Sequence, residues 1–310
     1  MSTADPAQQG AYPTRPLRLI VPFAPGGATD IVARHIGLKL GESWGQQVVI
    51  DNRPGGSGLL AAETASKAAP DGHTLFLGTI SSLATNVSMY RKLRYDPVRD
   101  FAPVTLVSAS PYLIAAHPSL PAQTLRELIA LANARPGQMN YGSTGGANHL
   151  AMELFKSMAG IGIADIAFVP YRGGGSSLVD LMGGRLQLAI GATLSIMPHV
   201  KGGRVRGLAV TGAERCPILP DVPTVAEWGV PGYVASSWNG ILVPARTPET
   251  IVARLNREIV RILSTSEVRD AISEDCSQAG GGTPEEFSRH IKAEIAKWAV
   301  VVKAVGARAD

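Results

Sequence analysis

The sequence predicts an α/β protein made of two strand–loop–helix series, each a mostly parallel sheet flanked by helices, with a ligand cleft between them. Three observations predict it. Strand-like apolar runs alternate with helical patterns along most of the chain, the pattern of parallel sheets covered by helices. Several strands run straight into glycine-rich loops, at Pro25-Gly26-Gly27, Gly55-Gly56-Ser57-Gly58, Gly142-Ser143-Thr144-Gly145-Gly146 and Gly173-Gly174-Gly175. With 45% hydrophobic and 17% charged residues, and 34 Gly and 22 Pro among 310, the chain has a substantial core and many short loops.

The first unit organises the rest. Leu17 to Val21 reads as a strand and Ile31 to Leu40 as a helix, with Pro22 to Asp30 as the tight loop between them. A helix start leaves backbone N–H groups unpaired and carries the positive end of the helix dipole, so such a loop is an anion site that needs no basic side chain. Next come a strand at Val48 to Asp51, a glycine loop, a helix at Leu59 to Ala69, and a strand at Thr74 to Gly78 that leads into Thr79-Ile80-Ser81. Two apolar runs, Val104 to Val107 and Tyr112 to Ala116, are separated at Ser110-Pro111. The pattern then restarts. Thr124 and Glu127 form a capping box for a helix to Ala134, Met139 to Tyr141 is a strand, and a third glycine loop feeds the helix His149 to Met158. Strands follow at Ile166 to Val169, Leu186 to Ile190 and Val205 to Val210, with a short helix at Leu178 to Met182. After an irregular proline-rich stretch, Tyr233 to Val243 is a strand. Thr247-Pro248 and Thr283-Pro284 then start helices through Leu263 and Val305, each with Thr as N-cap and Pro at the first helical position. The chain therefore crosses near residues 105–112 and returns near 230–235, giving a discontinuous domain (1–108 and 233–310) and an inserted one (109–232). The C-terminal helices read as packing elements that finish the first domain.

Charge and composition exclude several classes. The net charge of +4 is spread out, and the tightest basic group, Arg91, Lys92 and Arg94, has no interleaved aromatics, so no nucleic-acid partner is expected. No apolar run approaches the about 18 residues of a membrane helix, so the chain is not membrane-embedded. Six scattered histidines show no metal spacing, and no metal or cofactor is expected. Gly56-Ser57-Gly58-Leu59-Leu60-Ala61 fits a dinucleotide fingerprint, but the next strand ends in Gly-Thr where an acid for the ribose is wanted, which favours tight packing instead. No Gly-x-Ser-x-Gly elbow accompanies Ser143 or Thr144, and His149 has no orienting partner in sequence, so ligand contacts are favoured over catalysis. Cys216 falls in the inserted domain and Cys276 in the first. A bond between them would tie the lobes together, so free thiols are expected.

The ordered set Pro22-Phe23-Ala24-Pro25-Gly26-Gly27 to Asp30, Asn52-Arg53-Pro54-Gly55-Gly56, Asp71-Gly72, Gly142-Ser143-Thr144-Gly145, Pro170-Tyr171-Arg172-Gly173, Asp221-Val222-Pro223-Thr224 and Trp238-Asn239-Gly240 resembles the Bug family. These are the periplasmic substrate-binding proteins of tripartite tricarboxylate transporters, and the resemblance spans about Tyr12 to the C-terminus. It implies a type II periplasmic-binding-protein fold, and a non-enzyme that closes on a small mono- or dicarboxylate and delivers it to the membrane components of a transporter. It also implies a periplasmic location, with the export signal absent from this form; a monomer is expected. The resemblance puts the first carboxylate loop at Ala24, Gly26, Gly27, Ala28 and Thr29, and the facing wall at Ser143, Thr144, Gly146 and His149. Phe23, Thr79, Ser81, Tyr171, Ala192 and Trp238 complete the candidate set. Asp30 is read as positioning the loop from its helix start. Arg53 and Arg172 are candidate partners for a second carboxylate. A ligand sensor and, more remotely, a nicotinamide-dependent oxidoreductase are the competing readings.

Overall fold

The computed structural model describes residues 12–26, 28–144, 146–171, 174–273 and 276–307. The expected units are present, in order. Strand β1 (Leu17–Val21), helix α1 (Ala28–Trp44), β2 (Val48–Asn52), α2 (Leu59–Ser66) and β3 (Thr74–Thr79) form the first series. A π-helical turn (Ser81–Thr85) runs directly into α3 (Asn86–Met89). Strand β4 (Phe101–Ala116) precedes the second series: α4 (Leu125–Ala134), β5 (Met139–Ser143), α5 (Gly146–Met158), β6 (Ile166–Pro170), α6 (Gly174–Met182), β7 (Leu188–Ala192), α7 (Thr193–Lys201) and β8 (Arg206–Val210). The chain returns in β9 (Ser236–Pro244) and ends with α8 (Glu249–Leu263), α9 (Ser266–Ser273), β10 (Gln278–Gly281) and α10 (Pro284–Val305).

The strands form one mixed sheet, in the order β2-β1-β3-β9-β4-β7-β5-β6, with β8 and β10 also paired to β4. Strands β2, β1 and β3 are parallel, as are β6, β5 and β7, whereas β9 is antiparallel to β3 and to β4. The 16-residue β4 belongs to both halves. Its residues from Phe101 to Pro111 pair with β9, and those from Tyr112 to Ala116 pair with β7. The two apolar runs expected on either side of Ser110-Pro111 are thus one strand. Pro111 lacks only an N–H, and the neighbouring ladder partners Ser110↔Ser237 and Tyr112↔Ala192 keep the strand in register.

The core follows the sheet. Leu19, Val21, Leu75, Leu77, Ile241 and Val243 pack under α1 and α8, while Tyr141, Leu150, Phe155, Ile190 and Tyr233 belong to a cluster that continues into Phe76, Trp238 and Trp298. Helix α10 lies against α3, α8 and β4, and also against α5, so it contacts both halves. Gly240 makes room for it: a Cβ there would collide with the Phe287 ring. Thr283 caps α10 with a full capping box to Glu286. Thr124 accepts from Glu127 N at 3.2 Å, but Glu127 Oε2 takes its bond from Gln123 N instead, so only half of that box forms. Helix α8 starts one residue later than expected. Pro248 occupies its N-cap, while Thr247 Oγ1 donates back to Pro244 O at 2.8 Å.

The cysteines require a correction. Cys216 and Cys276 are joined in a disulfide with Cα atoms 5.2 Å apart, not free. The expectation of free thiols rested on placing the two cysteines in different domains, where a bond would tie the lobes together. In the fold the bond lies beside β4 where the chain crosses: Thr211 N donates to Tyr112 O at 2.9 Å, Gln278 pairs with Ala109, and the Ser110 and Ser277 hydroxyls are hydrogen-bonded. The bond thus joins segments that the pairing of β10 with β4 already holds side by side. Among the described residues no helix is long and apolar enough to cross a membrane.

Candidate functional site

Strand β1 delivers the chain into the loop Pro22 to Gly26, and the Asp30 side chain fixes that loop. Asp30 is 1% exposed, and its carboxylate accepts from Gly26 N (2.9 Å), Asn52 Nδ2 (2.9 Å) and Arg34 Nε (2.8 Å). Asn52, at the end of β2, also donates to Phe23 O at 2.9 Å, so the two strand ends and the loop are laced together. Burial pushes the Asp30 pKa up, but the hydrogen bonds from Arg34, Gly26 and Asn52 and the Arg34 charge outweigh it and bring it to about 2. Its charge is spent inside the loop.

A cavity of about 330 Å³ lies between the two halves. One wall is Phe23, Thr29, Ser57, Thr79, Ile80 and Ser81; the facing wall is Thr144, Gly146, Ala147 and Asn148. Its floor is Tyr112 of β4 with Ser237 and Asn239 of β9. Three helical starts meet there: the first turn of α1 at Thr29, the helical run beginning at Ser81, and the first turn of α5 at Gly146. The first turn of a helix leaves N–H groups without partners inside the helix and carries the positive dipole end. Gly146 adopts φ +59°, and nothing lies within 4 Å of where a Cβ would sit, so this glycine serves conformation and not space. The Ser81 end is rigid, because Thr79 N donates to Ser82 Oγ at 3.0 Å and Tyr95 Oη donates to Ser82 O at 2.6 Å. None of the described lining residues is charged. The cavity can therefore solvate an anion with neutral donors from both walls.

A second cavity of about 150 Å³ shares Thr144 and Asn148 with the first. It continues to Ser177, Ala192 and Ser195 at the start of α7. Thr193 Oγ1 donates to Pro111 O at 2.8 Å, tying that helix start to β4. Nearby, Ser143 is 1% exposed, and its hydroxyl has no hydrogen-bond partner among the described residues.

Of the anticipated residues, Phe23, Thr29, Thr79, Ser81, Thr144 and Gly146 line the larger cavity and Ala192 the smaller. Ala24 and Gly26 sit exposed in the first loop, outside the lining, and Ala28 is the first residue of α1. Gly27 and Arg172 lie outside the described residues. His149 is set back from the cleft. Its ring stacks on Phe168 at 4.1 Å and its Nδ1 is 2.6 Å from Tyr141 Oη, which donates in turn to Glu153 Oε1 at 2.7 Å. Tyr171 Oη donates to Asp180 at 2.7 Å, and Trp238 is buried, its indole N–H donating to Glu294 at 3.0 Å. Arg53 pairs with Asp51. Sequence reasoning missed Ser57, Ile80, Tyr112, Ala147, Asn148, Ser237 and Asn239. Ser57, Asn148 and Asn239 fell inside motifs already singled out; Tyr112 and Ser237 carried no local signal.

Two other features do not compete with this site. At the dinucleotide-like motif Gly58 has φ +88°, and a Cβ there would lie 3.1 Å from Pro22 Cβ and 3.2 Å from Ser82 Cβ, so backbone conformation and close packing account for that glycine. A larger cavity, about 720 Å³, borders the disulfide and carries Glu214, Arg215, Arg269 and Asp270. It gathers none of the anticipated residues.

Residues 32–307 match the family described as tripartite tricarboxylate transporter family receptor. The chain belongs to that family. Among its relatives, protein BugT of Bordetella pertussis is 36% identical over 98% of this chain and 94% of its own. The solved structure of R. palustris Rpa4515 with adipate is 42% identical with a TM-score of 0.79, covering 95% of this chain and 98% of that one. MatC from Rhodopseudomonas palustris with bound malate is 32% identical with a TM-score of 0.76, covering 94% of this chain and 100% of that one. The receptor is thus a Bug-type solute-binding protein with the two-lobed periplasmic-binding fold.

Proposed function

We propose that this receptor captures a small mono- or dicarboxylate between its lobes outside the cytoplasm and hands it to the membrane components of a tripartite transporter. The observation that carries the reading is the convergence of helix N-termini from both lobes on an uncharged cavity. Such ends favour an anion without a salt bridge, so release does not require breaking an ion pair. The net charge of +4 helps attract anions. Closure would bring the Thr144 wall onto the Ser81 wall and select the liganded state. The lobes proposed are 1–108 with 233–310, and 109–232; the change of β4 partners at Pro111–Tyr112 and the start of β9 at Ser236 support that division. A periplasmic location is supported by the disulfide, which persists in oxidising compartments. The family's solute-binding character argues against an enzyme, and the conformation and packing of Gly58 account for the dinucleotide-like motif without a dinucleotide.

A thermal-shift screen over aliphatic, amino and aromatic carboxylates tests this. At about 100 times its Kd a ligand adds about 2.7 kcal/mol, a readily visible shift. Stabilisation by a dinucleotide and by no carboxylate would sink the reading.

A further inference from the structure

One residue on the cleft wall does not suit its own backbone. Among the described residues, two that are not glycine have positive φ: Ser57 at +52° and Cys276 at +66°. Cys276 is anchored by its disulfide. Ser57 has no covalent anchor, and it interrupts a glycine run of positive φ, with Gly55 at +135°, Gly56 at +55° and Gly58 at +88°. In left-handed backbone the Cβ of an L-residue crowds the following carbonyl oxygen, a cost that glycine avoids. The surroundings impose the conformation. Asn86, 1% exposed, donates from Nδ2 to Ser57 O at 3.2 Å, and Gly58 N donates to Gly55 O at 3.1 Å. Gly58 in turn packs against Pro22 and Ser82. Strain that neighbours maintain in this way concentrates at functional positions. Ser57 is exposed and lines the cavity, and its hydroxyl makes no hydrogen bond with any described residue.

We propose that the Ser57 hydroxyl donates to the bound carboxylate, and that the chain keeps a serine at this strained position for that contact. The inference rests on the carboxylate reading above and adds a residue to it. A hydroxyl bonded to an ionised oxygen makes one of the stronger hydrogen bonds, and a glycine at residue 57 could not supply it. Ser57 shares its wall with Thr29, Thr79 and Ser81, so its donor points into the same neutral, uncharged site. Fold and binding then make opposite demands on residue 57. The backbone favours glycine, and the ligand favours a hydroxyl.

Two variants separate these demands. Ser57→Gly and Ser57→Ala lack the same hydroxyl and differ in the Cβ. Titration calorimetry is run with adipate, succinate, malate and any other acid that stabilises the unsubstituted protein in the thermal-shift screen. Both variants should bind such an acid about tenfold more weakly than the unsubstituted protein. Their melting temperatures should part. Ser57→Gly relaxes the backbone and should melt no lower than the unsubstituted protein, whereas Ser57→Ala keeps the crowded Cβ and should melt below Ser57→Gly. A merely structural serine would instead lose affinity in step with stability. Either variant binding as tightly as the unsubstituted protein, or affinities that follow the melting temperatures, overturns this inference and leaves the carboxylate reading standing. If the unsubstituted protein binds no carboxylate in the screen, that reading falls and this inference with it.

Discussion

Replacing Asp30 would remove three hydrogen bonds from the first loop at once. Asp30→Ala should cost on the order of 2 kcal/mol of stability and weaken carboxylate binding more than a surface substitution of equal cost. Chemical denaturation beside titration calorimetry separates the two effects. The pH dependence has a definite sign. The carboxyl is held at about 2 in the fold, against 3.8 as its ordinary value. Its contribution is therefore complete above about pH 4 and is lost as pH falls through 2. Burial lowers the pKa of His149 and of His290, so the unfolded chain binds protons first, and melting temperature should drop as pH falls below about 6.5. A melting temperature that is flat from pH 8 to 5 contradicts this. At this scale the sequence is only partly legible. Trp238 and Asn239 are adjacent in one motif, and the aromatic is the more conspicuous candidate for a pocket wall. Strand alternation puts neighbours on opposite faces, and the tryptophan faces Glu294 in the core while the asparagine lines the cleft.

Elements are easier to read than side chains, because period and caps are local. The strand–glycine–helix units lie where hydrophobic periodicity and helix-start residues put them, and Thr283 caps α10 as expected. Thr283→Ala should cost about 1 kcal/mol; a thermal midpoint equal to that of the unsubstituted protein would deny the cap its role. The failures are tertiary. Thr247 turns to Pro244 O, and Pro111 does not end a strand because ladder partners on both sides hold β4 in register. In α5, Lys156 is 1% exposed and donates to Glu153 Oε1 (2.8 Å), Ile163 O (2.7 Å) and Ile166 O (2.9 Å). That buried cluster anchors the helix whose start faces the cleft. Lys156→Met leaves the Glu153 charge uncompensated and should cost about 3–5 kcal/mol, measured by urea unfolding.

For the whole molecule, the two-series architecture is readable from alternation, but the relation of its halves is not. The disulfide shows why: sequence states that 60 residues separate the cysteines and nothing about the fold bringing their Cα atoms to 5.2 Å. Closing a loop of that length is worth about 4 kcal/mol in the chain-entropy account. A Cys216→Ser, Cys276→Ser double variant should lose about that much stability and keep its carboxylate affinity. A large loss of affinity with little loss of stability would reverse the assignment of the bond as a structural tether. Strand β4 has a mechanical consequence as well. It pairs with β9 along one part of its length and with β7 along the rest, so the proposed opening and closing would twist a ribbon shared by both halves. Under that motion the protein would act as a torsion spring and not as two bodies on a slack string. Under the proposed closure, a carboxylate drawing the walls together would load that spring, and the sheet would return the work when the ligand leaves.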